Sequence, residues 1–211
     1  MVRVSASILG FFFAAKANKL PEAVMIDNIN NALQEKKDEF EILHLDLEDG
    51  KFVNHKSFTV SQVQKIKSPH KVEAHLMVVD YKKYIKDYFN AADMFIIHNE
   101  VLKSTFPKTI TFLKKNKKYV GISVNIETPI DEIKYLDKVD LILVMSIHPG
   151  LPGQKFIEHS IRKIRKLKEL RAKHNYKYLI EVDGGIDDVI AKKCLDAGAD
   201  IIVMGSKLFK Q

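Results

Sequence analysis

The chain has 211 residues, of which 46% are hydrophobic and 29% are charged, with a formal net charge of +7. This length and composition are typical of one globular domain, and we expect a single domain over residues 1–211. No apolar run is long enough for a transmembrane helix, and residues 8–15 are too few for a usual signal peptide, so we expect a cytoplasmic protein.

Short β-branched apolar runs alternate with longer amphipathic segments along the chain. The predicted strands are residues 2–7, 41–46, 72–76, 94–98, 120–125, 141–145, 179–183 and 201–204. The predicted helices are residues 21–36, 60–67, 81–89, 106–116, 130–136, 156–174 and 187–197.

Eight strands that alternate with helices predict an α/β fold of the (β/α)8 TIM barrel type. The rival is a doubly wound open sheet, which normally has a glycine-rich turn after its first strand, where this chain has only Gly10. Few residues follow the eighth predicted strand, so we expect a shortened last helix.

The excess positive charge lies mainly in predicted helices, for example in residues 162–173. This distribution indicates solvated helix faces rather than a nucleic-acid-binding surface, so we expect neither nucleic acid nor membrane as a partner. The single cysteine, Cys194, is expected to be a small buried apolar residue of a helix.

Four polar side chains fall near the carboxyl ends of three predicted strands. His44 and Asp46 face the same side of the second strand, His75 is near the end of the third, and Asp183 ends the seventh. Catalytic groups of such barrels lie at the carboxyl ends of the strands, so we expect these four to meet at the barrel mouth. The set suits Zn²⁺, and also Mn²⁺, Fe²⁺ or Co²⁺. Two carboxylates beside a divalent cation suit proton transfer at a carbon next to a carbonyl group.

Three glycine-containing loops follow the last three predicted strands. They read HPGLPGQKF (148–156), DGGI (183–186) and MGSK (204–207). Loops after the seventh and eighth strands commonly bind phosphate in these barrels, because their backbone N–H groups are accessible to an anion. We therefore expect a phosphate group to bind opposite the metal ligands.

The chain resembles the ribulose-phosphate 3-epimerase family from end to end. The matching stretches are SIL (7–9), HLDLEDGKFV (44–53), HLMV (75–78), VMSIHPGLPGQKF (144–156), EVDGGI (181–186) and GADIIVMGSKLF (198–209). The resemblance implies a barrel of the ribulose-phosphate-binding type. It also implies an epimerase of the pentose phosphate pathway that interconverts D-ribulose 5-phosphate and D-xylulose 5-phosphate.

The resemblance further implies roles for individual residues. One divalent ion per subunit, with zinc expected first, is held by His44, Asp46, His75 and Asp183. Asp46 and Asp183 form the acid/base pair on the two faces of the substrate. The implied substrate-binding residues are Ser7, His75, Met77, Met145, Gly153, Gln154, Gly184, Gly185, Gly205 and Ser206. Homo-oligomers, either dimers or hexamers, are usual in this family.

Glu48 departs from the family pattern, which reads HVDVMDGHFVPN and has methionine at this position. Three interpretations are open: Glu48 turns outward to pair with Lys51, it is a fifth metal ligand, or it forms a charged lid over the site. Nearby departures are Lys51, Asn54 and His55, and in the loop after the sixth strand His148 and Pro152. Pro152 removes one backbone N–H from that loop.

Two alternative functions are compatible with the same four metal-ligand residues. One is C3 epimerisation of a hexulose 6-phosphate such as allulose 6-phosphate, which needs a roomier pocket. Another is a barrel with weakened catalysis that binds phosphate compounds. A decarboxylase or aldolase is less favoured, because no lysine lies among the expected ligands.

Overall fold

Eight parallel strands close into a barrel in the computed structural model, which describes residues 3–151 and 153–209. The strands are β1 (Arg3–Ser7), β2 (Ile42–Glu48), β3 (Lys71–Met77), β4 (Met94–His98), β5 (Tyr119–Val124), β6 (Leu141–Met145), β7 (Leu179–Asp183) and β8 (Ile201–Met204). Each strand pairs with the next one along the chain, and β8 pairs with β1. The predicted (β/α)8 barrel is therefore confirmed, and the doubly wound open sheet is excluded.

Helices follow the strands on the outside of the barrel. They are α1 (Leu9–Ala17), α2 (Glu22–Glu35), α3 (Val60–Val63), α4 (Tyr81–Asp87), α5 (Phe106–Lys115), α6 (His159–His174), α7 (Asp188–Ala197) and α8 (Ser206–Phe209), with short 3-10 helices at Asn99–Val101 and Ile130–Glu132. In the described residues α8 has only four residues, in agreement with the predicted short last helix. None of these helices combines the length and apolar character that crossing a membrane requires.

Three helical segments differ from the prediction. Helix α1 was not predicted, because its sequence LGFFFAAKA is apolar around nearly the whole helix and lacks amphipathic periodicity. Helix α3 ends at Val63 rather than at residue 67. The predicted helix over residues 130–136 is only a 3-10 turn, and Tyr135, with a φ of 65°, has a left-handed conformation that cannot continue a helix.

The barrel interior is divided between apolar and polar side chains. The apolar part contains Leu141, Leu143 and Met145 of β6 with Ile201 and Val203 of β8. The polar part comes from β1, β2, β3 and β7, where the inward positions are Ser5, His44, Glu73 and Glu181, all buried. A larger apolar cluster packs between the sheet and the helices. The polar sector lies below the barrel mouth and supports the side chains there.

Two expectations about individual residues have different outcomes. Cys194 is buried in α7, as predicted, and burial raises the pKa of its thiol to about 12. Lys163, however, is only 4% exposed, so the expectation of solvated lysines throughout residues 162–173 is wrong at this position. Its ammonium group donates hydrogen bonds to the backbone oxygens of Asn125 and Thr128 instead of facing solvent.

Candidate metal and phosphate site

His44, Asp46, His75 and Asp183 converge at the carboxyl ends of β2, β3 and β7. Each offers one potential ligand atom, and the four atoms all lie within 4.8 Å of one another. The Nε2 atom of His44 is 3.3 Å from Asp46 Oδ1 and 3.9 Å from Asp183 Oδ2. The Nδ1 atom of His75 is 3.1 Å and 4.0 Å from the same two oxygens. The four residues that sequence reasoning selected are therefore neighbours in space.

Strand register explains this convergence. In the parallel pair β2–β3, Asp46 is opposite His75 and His44 is opposite Glu73. Met145 at the end of β6 is opposite Asp183. The side chain of Ser146 donates to the backbone oxygens of Asp183 and Gly184, at 2.8 and 2.7 Å, and so holds the end of β7.

Buried hydrogen bonds orient His44 from below. Its Nδ1 atom is 2.7 Å from Glu73 Oε1, which also accepts a 2.6 Å hydrogen bond from the hydroxyl of Ser5. A carboxylate that accepts from Nδ1–H leaves the Nε2 lone pair of the imidazole directed at the cluster. Burial and the charge of Glu73 hold the pKa of Glu181, the neighbouring acid, well above its ordinary value.

The two carboxyl groups of the cluster have opposite electrostatic environments. Burial alone would raise the pKa of Asp46, but the charge and hydrogen bonding of His44 outweigh burial and hold this pKa well below its ordinary value. Burial, with the negative charge of Asp46, raises the pKa of Asp183 to about 6 despite the nearby His44. For His44, burial is again outweighed, and Asp46 and Glu73 raise its pKa. The surrounding protein groups therefore favour the ionised form of Asp46 more strongly than that of Asp183.

The donor set fits a divalent cation. The Nε2 atom of His44 and the Nδ1 atom of His75 are 3.4 Å apart and face the same two carboxylates. Unprotonated imidazole nitrogens and carboxylates are all hydrogen-bond acceptors, so they do not satisfy one another when they face the same point. A cation at that point satisfies both nitrogen lone pairs and both carboxylates.

A cavity of about 640 Å³ opens above this cluster. The hydroxyl of Ser7 lines it and donates a 2.8 Å hydrogen bond to Asp46 Oδ2. Its other lining residues include Met77, Met145, Gly153, Gln154, Gly184, Gly185, Gly205 and Ser206. Apart from His75, which is completely buried beneath it, the cavity contains every residue expected to bind substrate.

Two adjacent glycines give the loop after β7 its shape. Gly184 has a φ of 120° and Gly185 a φ of 65°, backbone conformations that side chains disfavour. A Cβ atom on Gly185 would lie 2.6 Å from the backbone oxygen of Gln154 and 2.6 Å from the backbone nitrogen of Phe156. The loops after β6 and β7 approach each other this closely only because residue 185 has no side chain.

Glu48 lies inside the protein, so the interpretation that it turns outward to Lys51 is wrong. It is 3% exposed, and neither carboxyl oxygen has a hydrogen-bond partner among the described residues. The clusters of potential metal ligands found within residues 3–151 and 153–209 do not include it, which counts against a fifth ligand. Burial, with the charge of Asp46, raises the pKa of Glu48 to about 8, so its carboxyl group is mostly neutral at pH 7 rather than a charged lid.

The other departures from the family pattern lie around a second cavity of about 460 Å³. Asn54, His55 and His148 line it, and it shares Gln154 with the main cavity. His148 is exposed, and its Nδ1 atom is 3.3 Å from Glu127 Oε1. Lys51 is exposed in the turn after β2, and Pro152 lies outside the described residues.

Sequence reasoning missed several buried polar residues next to the cluster. They are Ser5, Glu73, His98 and Glu181, and the more exposed Glu100 is within hydrogen-bond distance of His98. His98 ends β4, so the rule that identified His75 also applied to it. Glu73 precedes His75 by two residues on one strand, and this spacing places both on the inner face. Ser5 and Glu181 have the same spacing before Ser7 and Asp183.

Comparison with known proteins agrees with this geometry. The family model described as "Ribulose-phosphate 3 epimerase family" matches residues 17–209. The ribulose-phosphate 3-epimerase of Bacillus subtilis is 31% identical over 216 residues, which cover 100% of this chain and 94% of the relative. The chloroplastic ribulose-5-phosphate-3-epimerase of Arabidopsis thaliana is 34% identical over 172 residues, or 79% of this chain and 61% of that longer relative.

Among solved structures, 3-hexulose-6-phosphate synthase from Salmonella typhimurium has a similar fold. The TM-score is 0.65 at 17% identity, over 100% of this chain and 92% of that one. This similarity supports the barrel fold alone. The family model and the two relatives cover most or all of the chain, and on that ground the chain belongs to the ribulose-phosphate 3-epimerase family of isomerases.

Proposed function

We propose that this chain is a metal-dependent epimerase that inverts C3 of D-ribulose 5-phosphate to give D-xylulose 5-phosphate. The observation that carries the proposal is the convergence of two imidazoles and two carboxylates, within 4.8 Å, beneath a cavity at the barrel mouth. Relatives named for this activity support the choice of substrate.

Asp46 and Asp183 are the proposed acid/base pair. Epimerisation removes the proton from one face of C3 and returns a proton to the other face, so it needs two groups that exchange protons. Asp46 and Asp183 come from β2 and β7, and both line the cavity. Ser7 donates to Asp46 Oδ2 and so fixes the orientation of one member of the pair.

The proposed ligands of the cation are His44, Asp46, His75 and Asp183. When bound, a divalent cation supplies positive charge that stabilises an enediolate developing at C2 and C3. Zinc is our first choice because two imidazoles and two carboxylates suit it, and iron, manganese and cobalt are alternatives.

The phosphate group of the substrate is proposed to bind the glycine loops on the far side of the cavity. Gly184, Gly185, Gly205 and Ser206 line that side, and glycines let an anion approach the backbone N–H groups closely. Gly153 and Gln154 of the loop after β6 complete this side. Met77 and Met145 contribute apolar surface next to the reacting carbons and limit the access of water.

A hexulose 6-phosphate such as allulose 6-phosphate is the alternative substrate. The second cavity favours this possibility, because it adjoins the main one and has room for a longer sugar. Parallel assays of zinc-loaded protein with both sugars test the choice. We expect the higher kcat/KM for ribulose 5-phosphate, and a higher value for the hexulose would reassign the substrate.

A barrel with weakened catalysis is tested separately by exchange of the C3 proton with deuterated water. Exchange supports the epimerase, whereas absence of both exchange and bound metal would favour a phosphate-binding protein without catalysis. Homo-oligomerisation as a dimer or hexamer, a cytoplasmic location and a place in the pentose phosphate pathway stay predictions.

A further inference from the structure

His75 uses both ring nitrogens, and they face different parts of the molecule. Its Nδ1 atom is directed at the metal-ligand cluster, 3.1 Å from Asp46 Oδ1. Its Nε2 atom is 2.9 Å from Nε2 of His98, a residue with no proposed role in metal binding, proton transfer or substrate binding. Both rings are completely buried, and they lie nearly parallel with an interplanar angle of 23°. A neutral imidazole carries one proton on one of its two nitrogens. Hydrogen bonding at Nε2 of His75 therefore decides whether its Nδ1 atom offers a lone pair to a cation.

Glu100 determines the direction of hydrogen bonding along this chain of side chains. The Nδ1 atom of His98 is 3.2 Å from Glu100 Oε2. The other oxygen of Glu100 accepts a 3.0 Å hydrogen bond from the backbone N–H of Asn125 and another from the hydroxyl of Thr128. Because Glu100 accepts, His98 donates from Nδ1–H and its Nε2 atom accepts from His75. His75 then carries its proton on Nε2 and directs the Nδ1 lone pair at the cluster.

The outer end of the network is held in place by α6. Lys163, which belongs to that helix, donates hydrogen bonds of 2.5 and 2.7 Å to the backbone oxygens of Asn125 and Thr128. Asn125 and Thr128 are also the residues whose backbone N–H and hydroxyl groups, respectively, donate to Glu100. Phe52 packs against the ring of His98 with the ring centroids 4.5 Å apart, which limits rotation of the imidazole. The orientation of His98 is thus set by groups outside the metal site.

We infer that His98 and Glu100 are positioning residues that fix the ring orientation and tautomer of His75 for metal binding. The inference rests on the metal-binding part of the proposed function and is independent of which sugar is the substrate. Outer hydrogen-bond partners of metal-ligating histidines generally change metal affinity by 10- to 100-fold when they are removed. The two residues do not touch the proposed substrate cavity, so their effect is exerted through His75.

The test is the affinity of the full chain for zinc, measured by competition with a chromophoric chelator. We expect Glu100→Gln to weaken zinc binding 10- to 100-fold, because its amide group can donate to His98 and reverse the direction of the network. Glu132→Gln is the matched control, since Glu132 is exposed and lines, together with Glu100, a surface pocket next to the 3-10 helix Ile130–Glu132. The control should bind zinc within twofold of the parent protein.

Nitrogen-15 NMR of the histidine rings gives a readout that a purely structural role would not change. In the parent we expect the proton of His75 on Nε2 and that of His98 on Nδ1, and in Glu100→Gln we expect both tautomers to change. Zinc affinity within twofold of the parent, together with unchanged tautomers, would overturn the inference. Should Glu100→Gln fail to fold, Thr128→Val decides: at least threefold weaker zinc binding supports the inference, and unchanged binding overturns it.

The sugar assay separates this inference from the proposed function. Normal zinc binding in the parent without epimerisation of either sugar would count against the proposed function and leave the inference standing. Epimerisation by the parent, together with unchanged zinc affinity and tautomers in Glu100→Gln, would support the proposed function and overturn the inference.

Discussion

Asp46 and Asp183 approach the same ring nitrogen of His44 from strands on different sides of the barrel mouth, at 3.3 and 3.9 Å. Their pKa values nevertheless move in opposite directions, downward for Asp46 and up to about 6 for Asp183. A pair of acids with different proton affinities around one point suits a reaction that takes a proton from one face of a carbon and supplies one to the other.

Asp46→Asn should lower kcat for ribulose 5-phosphate at least a hundredfold, because an amide cannot act as a general base. The assay needs saturating zinc, since Asp46 is also a proposed metal ligand, and the metal content of the variant must be measured. Asp131→Asn, at an exposed carboxyl group that does not line the main cavity, is the control. Activity of Asp46→Asn within tenfold of the parent would show that this role of Asp46 is wrong.

Glu48→Met should retain or increase activity. Neither oxygen of Glu48 has a hydrogen-bond partner in the described part of the chain, so methionine removes no side-chain hydrogen bond and restores the residue that the family pattern has here. The measurement is kcat/KM for ribulose 5-phosphate alongside metal content. A hundredfold drop with metal still bound would mean that Glu48 has become essential to catalysis.

Glu48 should also make the stability of the metal-free protein depend on pH. Its pKa in the folded protein is about 8, above the ordinary value of 4.5, so the folded state binds more protons than the unfolded state between these values. The contribution of Glu48 to stability is therefore present at low pH and is lost as pH rises toward 8.

Glu48→Gln cannot titrate, so it should gain free energy of unfolding relative to the parent as pH rises from 5 to 8, by roughly 2–4 kcal/mol. Urea denaturation of both proteins at several pH values measures this difference. A difference that stays constant across the range would contradict the burial of an ionisable Glu48.

Gly185→Ala should lower the free energy of unfolding by about 2 kcal/mol or more. The φ of residue 185 is 65°, and the added Cβ would collide with backbone atoms of Gln154 and Phe156. Gly205→Ala is the control, because its Cβ would approach backbone Ser7 only to 3.3 Å and its φ is not left-handed. Equal losses in the two variants would contradict the proposed close packing of the two loops.

Strand positions were predictable from the sequence because hydrophobic runs with β-branched residues ended at polar strand termini. His44, Asp46, His75 and Asp183 followed from that pattern, since side chains at the ends of parallel strands share one edge. Helix α1 was not predictable in this way, because its apolar residues surround the helix instead of forming one stripe. The turn near Tyr135 depends on a left-handed backbone conformation, which the local sequence does not predict.

The environment of Glu48 depended on tertiary structure. Sequence spacing placed this residue on the same face as Asp46, but only the folded barrel shows that its carboxyl group is buried without a partner. The network from His75 through His98 to Glu100 likewise joins residues from two separate segments and a loop fixed by Lys163. Contacts of this kind arise from register and helix docking, which a single sequence does not specify.

Reversible removal of the metal tests the account most directly. Elemental analysis of the purified chain should find about one divalent ion per subunit, and chelation should abolish epimerisation of ribulose 5-phosphate. Adding zinc or another divalent cation back to the stripped protein should restore activity. Full activity in protein shown to contain less than a tenth of an ion per subunit would contradict the central claim that these four side chains act through a shared cation.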